Sequence, residues 1–177
     1  MINDSYGLGK DKLFRLADHK LLKELNYTPA KAKVHGQLYE HEKICGDVFV
    51  SLTLTDKLRH WGGTTSLGKN GPFPDRVFRI DQRLFYLEVE TGTQREDKLR
   101  PKVERYIQYR RETKDEFHTL WLGRDDNHLD MMMDIFEELG ASPHYIVASQ
   151  NEFINSPLTC LLLNRFGEFT LLQDASN

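Results

Sequence analysis

Long apolar runs are missing from this chain: none approaches the ~20 residues that a membrane-spanning helix needs, and no membrane partner is expected. Cysteine is scarce. Cys45 and Cys160 lie far apart in apolar surroundings and neither belongs to a C-x-x-C pair. That excludes a disulfide scaffold and a zinc ribbon, and the reading is buried thiols in a reducing cytoplasm. Met1-Ile2-Asn3-Asp4-Ser5 is not a basic stretch followed by an apolar one, so no secretory signal is read and a cytoplasmic location is expected. An excess of positive charge is also missing. At a net charge of -3, any nucleic-acid contact must rest on a local patch. The seven histidines show no metal-ligand spacing, and no repeat or low-complexity tract is present.

What is present is a chain of 177 residues, 39% hydrophobic and 29% charged, enough for one domain with a proper core. Asp18 to Leu25 reads as a helix, Tyr6 to Leu16 fits either helix or extended chain, and residues 26–34 read as a polar connection. From His35 the apolar residues Leu38, His41, Cys45, Val48 and Leu52 recur at three and four, which predicts an amphipathic helix. A rival reading makes Asp47 to Leu54 a strand. His41 falls on the apolar stripe and reads as a hydrogen-bonded core histidine. Residues 62–73 are turn-rich and read as a mobile loop. Further on, a basic helix is expected to begin near Arg100 with Pro101 in its first turn. Phe117 to Leu122 and His144 to Ala148 read as buried strands. Asp126 to Leu139 reads as a helix stopped by Gly140, with Met131, Met132 and Met133 as core filling. Leu158 to Leu163 is apolar and Phe166 to Leu172 fits a terminal strand. The alternation predicts an α/β fold, a mixed sheet flanked by helices.

The chemistry concentrates between Pro74 and Glu90. Pro74 to Ile80 and Arg83 to Glu90 read as two strands joined by a turn at Asp81-Gln82. Residues two apart on a strand share a face, so Glu88 and Glu90 point together, and the hairpin brings Asp75 across from them. Three carboxylates in one small volume need a cation, a proton or a basic side chain. Such a cluster suits Mg²⁺ or Mn²⁺, with Glu42 or Asp47 of the preceding helix as an outer ligand. The helix that follows offers Lys98, Arg100, Lys102, Arg105, Arg110 and Arg111, with Lys102 placed to reach back over the acids. The plainer reading is that the acids are a solvated sheet face or are paired with Arg76, Arg79 or Arg83.

Pro74-Asp75, Glu88-Val89-Glu90 and the basic helix resemble the PD-(D/E)XK arrangement of restriction-endonuclease-like folds. More narrowly, Pro74 to Ile80, Phe85 to Thr93 and Lys102-Val103-Glu104-Arg105-Tyr106 resemble the replication-relaxation family of plasmid and mobile-element proteins. The likeness covers residues 72–122 best and is weaker over 6–60. It implies a restriction-endonuclease-like domain over 35–177, with 1–34 as an extension packing on it. It also implies a DNA-acting protein in replication, relaxation or mobilisation, working as a homodimer or with replication and mobilisation proteins. Asp75, Glu88, Glu90 and Lys102 are then the catalytic set, the three acids hold Mg²⁺ or Mn²⁺, and Lys98, Arg100 and Arg105 hold the DNA backbone. Family members often carry a winged helix ahead of this region, which makes the chain either a divergent member or a C-terminal portion. The nuclease motif has lysine where this chain has Glu90, and the narrower family tends to carry an acid there. The alternatives are a metal-dependent endonuclease, a non-catalytic DNA-binding or protein-docking module on that scaffold, and an assembly factor with no nucleic-acid contact.

Overall fold

The structure, a computed structural model, describes residues 2–8, 11–16, 37–63, 66–68, 71–91 and 95–172. Strands β1 (Ile2–Leu8) and β2 (Asp11–Leu16) pair antiparallel as a sheet of their own, so Tyr6 to Leu16 is extended wherever it is described. The predicted helix at Asp18 to Leu25 and the connection at 26–34 lie outside the described residues.

The main sheet has seven strands in chain order: β3 (Leu58–Gly62), β4 (Arg76–Ile80), β5 (Arg83–Val89), β6 (His118–Gly123), β7 (Tyr145–Ser149), β8 (Leu162–Asn164) and β9 (Gly167–Phe169). β3, β4 and β5 form an antiparallel meander, β5 to β7 run parallel, and β7 to β9 are antiparallel again. The parallel steps need crossovers, and helices α2 (Glu96–Thr113) and α3 (Asp126–Glu138) lie within them. Helix α1 (Gln37–Thr53) precedes the sheet and α4 (Gln150–Asn155) follows β7. The structure is therefore mixed α/β, as the alternation predicts. Among the described residues no helix is long and apolar enough to cross a membrane.

Side-chain alternation on the central strands divides the interior into two cores. Phe85, Leu87 and Val89 face Val48 and Leu52 of α1 and Phe153 of α4. Tyr86 faces the other way, onto Val103 and Tyr106 of α2 and Met132 and Phe136 of α3. Leu52, Leu87 and Leu122 are fully buried, and each such side chain contributes about 1.5–3 kcal/mol. Cys45 and Cys160 are free, buried thiols. Met132 is buried and Met131 and Met133 are half-buried against the second core, so the methionine run is core filling.

Exposure decides between the two readings of residues 47–54. Val48 and Leu52 are fully buried while Val50 is 55% and Leu54 79% exposed. A strand would put all four on one face; on the helix, only residues three or four apart share one. Helix α2 starts at Glu96, a turn before the expected start near Arg100, and Pro101 lies inside it. Glu96 and Asp97 in the first turn complement the helix dipole. Pro101 leaves the Asp97 carbonyl without its i→i−4 donor. Gly140 takes the left-handed φ of 62° that ends α3. Two elements have too little pattern to be read in advance: edge strand β3, where only Trp61 and Gly62 are buried, and the six-residue α4. The expected terminal strand shortens to β9.

Candidate functional site

The β4–β5 turn forms where expected, with Asp81 at a left-handed φ of 51°. In the resulting register Arg76 lies opposite Leu87, and the Asp75 amide donates to the Leu87 carbonyl at 2.9 Å. Asp75 therefore sits at the mouth of the hairpin beside the end of β5. Its Oδ2 accepts the Val89 amide at 2.7 Å. Glu88 and Glu90 share the face of β5 that meets α2, and both are fully buried. The Glu90 backbone is held from both sides: its amide donates to the Leu122 carbonyl at 3.0 Å, and Gln150 Nε2 donates to its carbonyl at 2.6 Å.

Helix α2 supplies the countercharge. Lys102 Nζ lies 2.7 Å from Glu88 Oε2 and 3.0 Å from Glu90 Oε1. It also stands 5.3 Å from the centre of the Trp121 ring. One turn on, the Tyr106 hydroxyl donates to Glu88 Oε1 at 2.5 Å. Helix α1 reaches the same place from its second turn. His41 Nε2 lies 3.0 Å from Asp75 Oδ2, and Glu42 forms an ion pair with Arg76. His41 is 20% exposed at the pocket. It is a partner of the acids, not the core histidine its place on the apolar stripe predicts.

Burial is the largest influence on Glu88 and raises its carboxyl to about 8, against the opposing charge of Lys102. Burial likewise raises Glu90. Burial pulls Lys102 down, but the charges of Glu88, Glu90 and Asp75 outweigh it and hold the ammonium protonated. Burial also works against His41, yet its bonds and charge contacts with Asp75 and Glu42 raise it to about 9. Asp75 is lowered: burial opposes its charge, and the His41 bond and Lys102 more than offset that. The cluster is thus neutralised from within by Lys102 and His41, while burial pushes Glu88 toward its neutral form. The arginine pairing weighed for the acids is not what forms: Arg76 pairs with Glu42, Arg79 donates to the Gln82 carbonyl, and Arg83 donates to the Leu171 carbonyl.

Among the described residues, no three Asp, Glu, His or Cys side chains stand close enough as they are to enclose a metal ion. The donor set still has the chemistry of one. Its oxygens are hard ligands, and Glu90 Oε2 is buried with no hydrogen-bond partner among the described residues. Glu42 is at the pocket, whereas Asp47 lines a separate groove with Val50 and Leu54. Of the expected backbone contacts, Arg100 is bonded to Glu96 and Glu138. Lys98 and Arg105 are exposed and lie at i and i+7 on the stripe that carries Lys102 at i+4. Two pocket residues carried no readable signal of their own. His41 looks like any apolar-stripe residue, and Gln150 enters from a strand end 60 positions beyond Glu90. No family model, curated protein or solved structure matches this chain, and the functional reading rests on these side chains.

Proposed function

We propose that this chain acts on DNA as a metal-dependent phosphodiester hydrolase on a restriction-endonuclease-like scaffold, in the replication, relaxation or mobilisation of a plasmid or mobile element. The observation that carries this reading is Lys102 reaching from α2 to a position between Glu88 and Glu90. A lysine ammonium thus meets the acids even though Glu90 takes its usual strand position. Helix, antiparallel meander, crossover helix and parallel strand follow one another around the acids, and this order supports the same reading.

Asp75, Glu88 and Glu90 are the residues that would hold Mg²⁺ or Mn²⁺, which supplies positive charge to a phosphate under attack. His41 and the Val89 amide both engage Oδ2 of Asp75, which orients its Oδ1 for the ligand. Tyr106 fixes the rotamer of Glu88. With a cation among the acids, Lys102 would be free to donate hydrogen bonds to the phosphate or to the attacking water. Lys98 and Arg105 flank it along the same stripe and hold the backbone.

One observation favours a second reading, a non-catalytic DNA-binding module. The acids are already neutralised from within by Lys102 and His41. Supercoiled plasmid incubated with Mg²⁺ or Mn²⁺ separates the two. Nicked or linear product that disappears with Asp75→Ala and with Glu88→Ala supports the hydrolase. Intact plasmid, with a salt-sensitive gel shift retained by both variants, overturns it and leaves the binding module.

A further inference from the structure

The parallel register of β6 and β7 sets Thr119 opposite Tyr145. The residues just ahead of them, His118 and His144, therefore stand side by side at the N-terminal ends of these strands. The Thr119 amide donates to the His144 carbonyl at 2.9 Å and locks that alignment. The two histidines are 26 positions apart in the chain, so sequence spacing does not show them as a pair. Both are half-buried. Phe85, the neighbour of His118 on β5, stacks on its imidazole with ring centres 4.9 Å apart and planes at 23°. The His144 ring meets the same imidazole edge-on, at 4.8 Å and 70°.

The two Nδ1 atoms lie 3.4 Å apart. That gap is longer than the roughly 2.7–3.2 Å of a good N–H hydrogen bond. It matches a different length: two nitrogens on one tetrahedral ion, each bonded at roughly 2.0–2.1 Å, stand roughly 3.3–3.4 Å apart. Imidazole nitrogen suits Zn²⁺ or Co²⁺, not the hard Mg²⁺ that carboxylates hold. The pair is also separate from the carboxylate pocket. Glu88 lies opposite Trp121, three residues further along β5 and β6, a rise of roughly 10 Å. Glu88 meets Tyr106 of α2, whereas Phe85 belongs to the core under α1. Among the described residues no third histidine, cysteine or carboxylate completes a cage, so the remaining ligand positions fall to water.

We propose that His118 and His144 bind one Zn²⁺-class ion through their Nδ1 atoms and so clamp the starts of β6 and β7 together. The ion and a histidine–histidine hydrogen bond exclude each other. The bond needs a proton on one Nδ1, and the ion needs a lone pair on both. The site is independent of the DNA-acting reading, because neither histidine belongs to the carboxylate pocket.

Calorimetric titration of Zn²⁺ into the metal-free Asp75→Asn chain tests it, since that substitution weakens the acids' own claim on the ion. One equivalent binds, and Co²⁺ in its place gives the intense visible absorption of a tetrahedral ion. His144→Ala weakens the binding at least about tenfold, as loss of a direct ligand requires. His118→Phe does the same while keeping a ring against Phe85. In the unsubstituted chain, imidazole nitrogen NMR shows the Nδ1 signals of both His118 and His144 move on adding Zn²⁺. Zinc binding that persists with both histidines replaced overturns the site. So do His118 and His144 signals that stay in place, which leaves a hydrogen-bonded histidine pair.

Discussion

Lys102 stands between two buried acids. Its ammonium is the nearest cation to two fully buried glutamates. Removing one partner of a buried pair leaves the other uncompensated, at a cost of about 3–5 kcal/mol. Urea denaturation at neutral pH is expected to show a loss of that size for Lys102→Met. Glu88→Gln behaves differently. The burial that raises Glu88 to about 8 already favours its neutral form, and an amide mimics that form and still accepts from Tyr106. Its expected change is under about 1 kcal/mol.

His41 and Glu88 together set a pH dependence. The folded-state value of His41 is about 9 against an ordinary 6.5. A raised value means that the stabilisation from its pair with Asp75 is complete below about 6.5 and is lost as pH rises through about 9. A displacement of that size corresponds to about 3 kcal/mol. Glu88, raised from 4.5 to about 8, has the same sign and its contribution is lost as pH rises through about 8. Melting temperature in metal-free buffer is therefore expected to fall from about pH 5, where unfolded Glu88 begins to ionise, to about pH 9. His41→Gln removes the upper part of that fall and Glu88→Gln the lower part. A profile for His41→Gln that matches the parent chain would contradict the assignment.

At the scale of elements, the pocket depends on how two helices begin and how one loop closes. α1 and α2 each deliver their functional residues within a few turns of the N-terminus, His41 and Glu42 from one and Lys102 and Tyr106 from the other. The loop ahead of Asp75 is held by a contact that no side chain at position 71 permits, since the obstacle at 1.5 Å is backbone. Gly71→Ala must therefore open the loop, at an expected cost of about 1–3 kcal/mol. Limited proteolysis should then cut between residues 62 and 73 well before the parent chain is cut. At Gly123 a Cβ would meet the Leu129 side chain at 2.7 Å, a flexible group that can turn away. Gly123→Ala is accordingly the milder substitution and the internal comparison.

For the molecule as a whole, the sheet carries two cores and the pocket sits where their supporting helices converge at the mouth of the hairpin. A ligand that binds only the folded state raises its stability, by about 2.7 kcal/mol at a hundredfold excess over the dissociation constant. Saturating Mg²⁺ is expected to raise the melting temperature by several degrees. Asp75→Asn should abolish the rise. An unchanged melting temperature, with calorimetry showing no heat of binding, would remove the metal from the proposal and favour the binding module.

The sequence by itself determined the hairpin, its turn, the three acids on it and the helix carrying Lys102, because each is set by local periodicity and turn chemistry. Alternation also set which face of β5 holds Glu88 and Glu90. The helical nature of residues 47–54 was legible as a rivalry, which packing resolved by burying Val48 and Leu52 and leaving Val50 and Leu54 outside. Lys102, 12 positions from Glu90, was legible as the lysine that reaches back over the acids. Only the tertiary structure decided that His41, which precedes Asp75 by a helix and a strand, joins it. That meeting follows from α1 and α2 docking on opposite faces of one sheet, which no sequence spacing encodes. Desolvation then does the rest: once buried, Glu88, Glu90 and Asp75 hold Lys102 charged, Asp75 and Glu42 hold His41 charged, and burial pushes Glu88 toward its neutral form.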